Sequence, residues 1–272
     1  MAEPLTTPAT SSAAFDGIAP GYDASFTHTH TGRLQRALVH THLQDRLGSR
    51  PARVLELNCG TGEDARWLAG QGHTVLATDI SAGMVAAAAA KCADQPGVRT
   101  QQADFAAALD LPGGPYDLIL SNFGGLNCLS LDDLAALGPA IRRQLAPGGR
   151  LVAVVMPRRC VWERLYFLAK LQPQKAFRRM GTAPVVAHLQ DGSAVSTWYF
   201  DPAELRRAWQ ADLQLVHQAP VGIFLPPSYL DPLVAHRPGF LAWLDLREQA
   251  SRHRAWLAPY ADHCLLEFQS QP

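Results

Sequence analysis

Short apolar runs of strand length alternate with stretches of helical period along most of this chain. VLEL at 54–57, bounded by turn residues, predicts a buried strand. Asn58, Cys59, Gly60, Thr61 and Gly62 predict a tight bend, whose two glycines let backbone approach a ligand closely. Ala65, Leu68 and Ala69 stand at helical spacing, and the glycines at 70 and 72 end that helix. HTVLATDI at 73–80 predicts a second strand with Asp79 at its carboxyl end. Ser81 caps a helix running through Met84 and Val85 to Lys91, and strands follow at 98–102 and 115–122. A helix at 131–145 leads through Pro147, Gly148 and Gly149 into a fifth strand, LVAVVM. Beyond residue 157, Trp162, Leu165, Tyr166, Leu168 and Ala169 lie at helical spacing, and 185–200 predicts a hairpin turning on Asp191-Gly192. Asp201, Pro202 and Glu204 mark a capped helix start. Strands at 213–225 and 263–269, with a helix at 240–256, complete the pattern.

Strand, glycine bend, helix, strand and terminal acid make half of a nucleotide-binding crossover, with Asp79 placed for a ribose hydroxyl. The glycines do not decide the ligand. Gly60, Gly62 and Ala65 match the dinucleotide fingerprint, whose third position can be alanine, so a nicotinamide-dependent oxidoreductase is one reading. Glu56 argues for another, because a carboxylate just before the bend repels a diphosphate and attracts an ammonium group.

Glu56-Leu57-Asn58-Cys59-Gly60-Thr61-Gly62 resembles motif I of the class I S-adenosylmethionine-dependent methyltransferases, acid-x-Gly-x-Gly-x-Gly, with Asn58 in place of the first glycine. The segments FDGIAPGYD at 15–23 and LAPGGRL at 145–151 resemble stretches of the small-molecule and quinone-methylating members, so the likeness covers about 15–156. The resemblance implies a Rossmann-like sheet of seven strands, mostly parallel with the last antiparallel, flanked by helices. It also implies S-adenosylmethionine as cofactor and S-adenosylhomocysteine as product. Tyr22 becomes a lid residue over the cofactor. Glu56, Asn58, Gly60, Gly62, Asp79, Ile80 and Met84 surround the methionine and ribose, and Asp104 and Phe105 meet the adenine. Asn122 and Phe123 wall the pocket near the transferring methyl. Asn127 is a candidate acceptor contact; Arg33 could reach the methionine carboxylate, but reads rather as a solvated arginine. The helix and hairpin after strand five resemble caps that shape acceptor pockets. Their aromatic residues, with Trp162, Tyr166 and Trp198 as candidate contacts, suggest an apolar or aromatic acceptor. His30 in the lid and His188 in the hairpin are the candidate general bases, needed only if the acceptor must lose a proton early.

These readings divide the chain into a loose tail at 1–14, lid helices at 15–47, a cofactor-binding domain at 48–156 and 201–272, and a cap at 157–200. Methyl transfer to a small acceptor by in-line displacement is the leading expectation; a non-catalytic cofactor-binding scaffold is a third reading. Composition narrows the partners. Lys plus Arg and Asp plus Glu number 24 each, and no long basic run exists, which argues against nucleic acid. The five cysteines are scattered and form no CxxC pair, which argues against structural zinc or a disulfide framework and for a reducing cytoplasm. No signal peptide and no apolar run of about 18 residues is evident, so integral membrane association is not expected. A monomer or homodimer is expected.

Overall fold

The computed structural model describes residues 11–107, 111–189 and 191–270. Seven strands form one twisted sheet in the order β3-β2-β1-β4-β5-β9-β8. The parallel part comprises β1 (Arg53–Glu56), β2 (Thr74–Asp79), β3 (Val98–Gln102), β4 (Tyr116–Ser121) and β5 (Leu145–Val155). β9 (His263–Ser270) runs antiparallel between β5 and β8 (Leu213–Val221). A separate two-stranded hairpin, β6 (Val185–His188) and β7 (Ala194–Thr197), lies in the insertion after β5.

The two-residue period of the central strands sorts their side chains into two layers. Leu55, Ile119, Leu151, Ala153 and Val155 face α6 (Leu131–Gln144) and α9 (Pro202–Trp209), packing with Leu134, Ile141, Leu205 and Trp209. Val54, Leu118, Leu120, Val152 and Val154 face the other way. There they meet Val39 and Leu43 of α3 (His30–Leu47), Ala65 and Leu68 of α4 (Glu63–Gly70), and Ala88 of α5 (Ala82–Lys91). Buried on both faces, these strands read as continuous apolar runs, which is why they stand out in the sequence.

Four boundaries differ from expectation. The tail does not reach residue 14: α1 (Ser11–Asp16) is helical, Ala14 is buried, and its carbonyl accepts the Ser193 hydroxyl at 2.9 Å. The hairpin does not turn on two residues. The ladder ends at His188 and Ala194, the Leu189 amide beyond it donates to the Ser193 carbonyl at 2.8 Å, and the Asp191 carboxylate accepts the Ser193 amide and hydroxyl. β8 stops at Val221 because Gly222 takes a positive φ of 81°. The amides of Gly222, Ile223, Phe224 and Leu225 all go to the Glu248 carboxylate rather than to a strand partner. Glu248 belongs to α10 (Pro238–Ser251), which ends before the expected 256; Ala255–Tyr260 is a separate 3-10 turn.

Candidate functional site

The strand order reverses between β1 and β4, and there the carboxyl ends of the strands open a crevice, the usual ligand position of such sheets. A cavity of about 200 Å³ occupies it. The bend after β1 forms its floor. Gly60, at φ 52°, turns its amide onto Asp79 Oδ2 at 2.9 Å, while Asp79 Oδ1 accepts the Ser81 amide at 3.0 Å. Burial raises the Asp79 carboxyl, against the pull of these amides. Asn58 reaches across to β4: its amide donates to the Asn122 carbonyl at 2.7 Å and its oxygen accepts the Ser121 hydroxyl.

One wall carries charge. Arg36 of α3 is buried, pairs with Asp64 at the start of α4, and lies 4.9 Å from the Phe123 ring centre. Asp64 also meets His40 Nε2 at 2.6 Å and accepts the Asn122 amide at 2.9 Å. Burial pushes the Asp64 carboxyl up, but Arg36 and His40 outweigh it and hold the group below the usual carboxylate range. Among the described residues the buried Arg36 Nε has no partner. The opposite end is apolar, with Phe15, Met84, Phe105, Cys128 and Leu129. Asp104 stands beside Phe105 at this end, its Oδ1 accepting the Ala106 and Ala107 amides.

The N-terminal segment closes over the cavity. Asp16 accepts the Ser81 hydroxyl at 2.5 Å and the Gly83 amide at 2.9 Å. Asp23 bridges Thr61 and Lys91 at 2.6 and 2.7 Å. Tyr22 lies between them, and burial, opposed by Arg36, pushes its phenol up to about 12.

Tyr22, Asn58, Gly60, Asp79, Ile80, Met84, Asp104, Phe105, Asn122 and Phe123 all line this cavity. Other candidates do not. Glu56 lies beneath the bend, fully buried, and among the described residues its Oε2 has no partner; burial first, then the Asp64 charge, raises its carboxyl well above the ordinary value. Near the bend, Glu63 and Asp64 line the cavity in place of Glu56. Gly62 (φ 82°) serves packing, since a Cβ there would meet Ala88 Cβ at 2.9 Å. Arg33 is exposed on α3.

The catalytic and acceptor candidates fare worse. His30 sits outside the cavity with Nδ1 3.3 Å from Asp231, and His188 is exposed on the hairpin. Asn127 is wholly buried. Its amide donates to the carbonyls of Met156 and Trp198 and its oxygen accepts the Met156 amide, so it fastens the β4 loop to β5 and the hairpin. Trp198 is held by that same contact and packs on the core. The Trp162 indole donates to the Phe224 carbonyl within a third apolar cluster. Tyr166 packs against Phe167 and Lys170 instead of the cavity. Helical spacing identified these side chains as belonging to ordered elements but could not say which surface each would meet. The residues missed are Arg36 and Asp64. A signal existed for Arg36, since it falls on the face of Val39 and Leu43 at spacings of three and seven, whereas Arg33 does not.

Residues 54–149 match the family model described as a methyltransferase domain. The demethylmenaquinone methyltransferase of Mycolicibacterium vanbaalenii is 37% identical over 140 residues, covering 51% of this chain and 56% of that protein. The thiopurine S-methyltransferase of Xanthomonas euvesicatoria is 32% identical over 113 residues, covering 40% and 49%. The chain spans about half the length of the first such relatives. Among solved structures, the CcbJ methyltransferase of Streptomyces caelestis superposes with a TM-score of 0.64 at 18% identity, covering 97% of this chain and 100% of that one. A DhpI-SAM-HEP complex gives 0.59 at 22% identity, covering 96% and 95%. Residues 54–149 are therefore similar to a methyltransferase domain, and the fold is the one these solved methyltransferases share.

Proposed function

We propose that this chain, built on a class I methyltransferase domain, transfers a methyl group from S-adenosylmethionine to a small apolar or aromatic acceptor. The cavity suits the cofactor. Asp79 would take the ribose hydroxyls, Asp104 and Phe105 the adenine, and Tyr22 would cover them. Asp64, with Glu56 buried behind it, would face the ammonium, and Arg36, whose Nε has no partner among the described residues, the carboxylate. When bound, S-adenosylmethionine would supply an activated methyl group, leaving the chain to orient an acceptor and exclude water.

The lining supports this division of labour. Among the described residues no histidine lines the cavity, and the Tyr22 phenol, pushed up to about 12, stays protonated. Such a site suits an acceptor that needs no side-chain base. Phe123, held at φ 50° between Phe26, Arg36 and His263, supplies a rigid apolar wall on the acceptor side.

The carrying observation is the start of α4. A dinucleotide would place its diphosphate at that helix N-terminus, but Glu63 and Asp64 occupy it and Glu56 lies behind. The two carboxylates on that first turn, Glu63 and Asp64, oppose a diphosphate and favour a cationic thioether nucleoside. Calorimetric titration with S-adenosylhomocysteine and, separately, NADH is the test. Binding of the first alone is expected; binding of NADH alone would overturn the reading. Methyl transfer from labelled cofactor to a panel of phenols, quinols and thiols then separates an enzyme from a scaffold.

A further inference from the structure

We propose that the outer face of the insertion is a docking surface for an anionic lipid bilayer. The chain as a whole carries no net charge, yet no acidic residue occurs from 164 to 190, where Arg164, Lys170, Lys175, Arg178 and Arg179 fall. Arg179 is buried against Glu163 and Asp262 and is spent inside the fold. Lys170 and Lys175 are exposed, and Arg178 keeps over a third of its side chain in solvent beside Glu163.

The same surface is apolar. α7 (Val161–Ala169) turns Leu165 and Leu168 outward at helical spacing, and Leu171, Phe177 and Met180 continue the exposed set. Leu165 is 61% and Leu171 89% exposed. The cations lie against aromatic rings of this surface: Lys170 over Tyr166 at 4.5 Å, and Lys175 and Arg178 over Phe167 at 5.8 Å. Cationic heads around protruding aliphatic chains are the composition of a helix lying in the headgroup layer.

Leu171 adds an independent observation. α7 ends in a Schellman turn, with the Gln172 amide on the Phe167 carbonyl at 2.8 Å. Leu171 takes the left-handed position at φ 55°, where glycine is the relaxed choice. The fold thus carries a strained leucine whose side chain gains almost no contact within the chain. A bilayer supplies that contact, since acyl chains mould themselves around a single projecting side chain.

A second copy of this chain fits less well. Pairing the face with itself would bring its cations together with no acid in the segment to balance them. The bilayer surface offers the missing negative charge.

Vesicle flotation tests the proposal without relying on activity or on the cofactor. The full chain should float with phosphatidylcholine vesicles containing phosphatidylglycerol. It should stay behind with phosphatidylcholine alone or in about 0.5 M salt, where the Debye length falls to a few ångströms. The pair Lys170→Glu and Lys175→Glu should lower partitioning at least about tenfold. Leu168→Ser with Leu171→Ser should lower it comparably, while thermal melting and S-adenosylhomocysteine binding stay unchanged. No flotation at low salt, or flotation indifferent to both pairs, overturns the proposal. So would dimerisation or capture of an acidic protein through this face in the absence of vesicle binding.

Discussion

Asn58 stands where the related glycine-rich bends have their first glycine, and its neighbour across the crevice explains how the fold accommodates it. A Cβ on Gly125 would come within 2.1 Å of the Asn58 side chain, so the two positions are matched in volume. Gly125→Ala should therefore cost about 2 kcal/mol by overpacking, measured by denaturant unfolding. In an Asn58→Gly background the same change should cost less than about 1 kcal/mol, a coupling that a double-mutant cycle reads directly. Asp79 makes a different prediction. Asp79→Ala should weaken S-adenosylhomocysteine about 10- to 100-fold in calorimetry, the usual loss for a charged hydrogen-bonding partner. Asn58 and Asp79 were both legible in the sequence because local spacing fixes them. The Arg36–Asp64 pair was not, since it joins residues 28 positions apart on α3 and α4.

At the scale of elements, the clearest device is Glu248. One buried carboxylate on α10 accepts four consecutive amides from 222–225 and so ends β8 while tying the following segment to the helix. Glu248→Leu should destabilise by about 3 kcal/mol or more, because it strands buried donors. Glu248→Gln should cost less, since its amide oxygen can still accept two of them. Differential unfolding of the two variants checks this. The sequence pattern extends this strand to 225 because Ile223, Phe224 and Leu225 continue the apolar run. Apolar character marks burial, and only the partner of each amide distinguishes a strand from a buried segment. The hairpin differs for a related reason: Asp191-Gly192 is a genuine turn signal, but the Leu189 amide closes the connection on the Ser193 carbonyl at 2.8 Å, one residue beyond a two-residue turn.

Across the whole molecule, ligand and acid act on the same folding equilibrium. At about 100 times its dissociation constant, S-adenosylhomocysteine should add about 2.7 kcal/mol, read as a rise of about 5–10 °C in melting temperature. Acid should act through Glu267 on β9. Burial pushes its carboxyl up, but the His42 imidazole 2.9 Å away and the charges of Arg150 and Arg46 outweigh burial and hold it at about 2, against an ordinary 4.5. A carboxyl depressed in the folded state contributes stability that is complete above pH 4.5 and lost as pH falls to about 2. With Arg46 and Arg150 partly solvated, the contribution is on the order of 2 kcal/mol. Glu267→Gln should flatten the acid limb of a stability-versus-pH curve, whereas an unchanged limb would assign it to other carboxylates. The amino-acid order by itself determined the alternation of elements, the glycine bend and the acid one strand later, because each is a matter of local period, backbone freedom and short spacing. Tertiary structure alone decided which buried acid the cavity meets, which arginine enters it, and which aromatic residues belong to the core. Those outcomes depend on where helices far apart in the chain turn their faces once packed, and no local pattern carries that information.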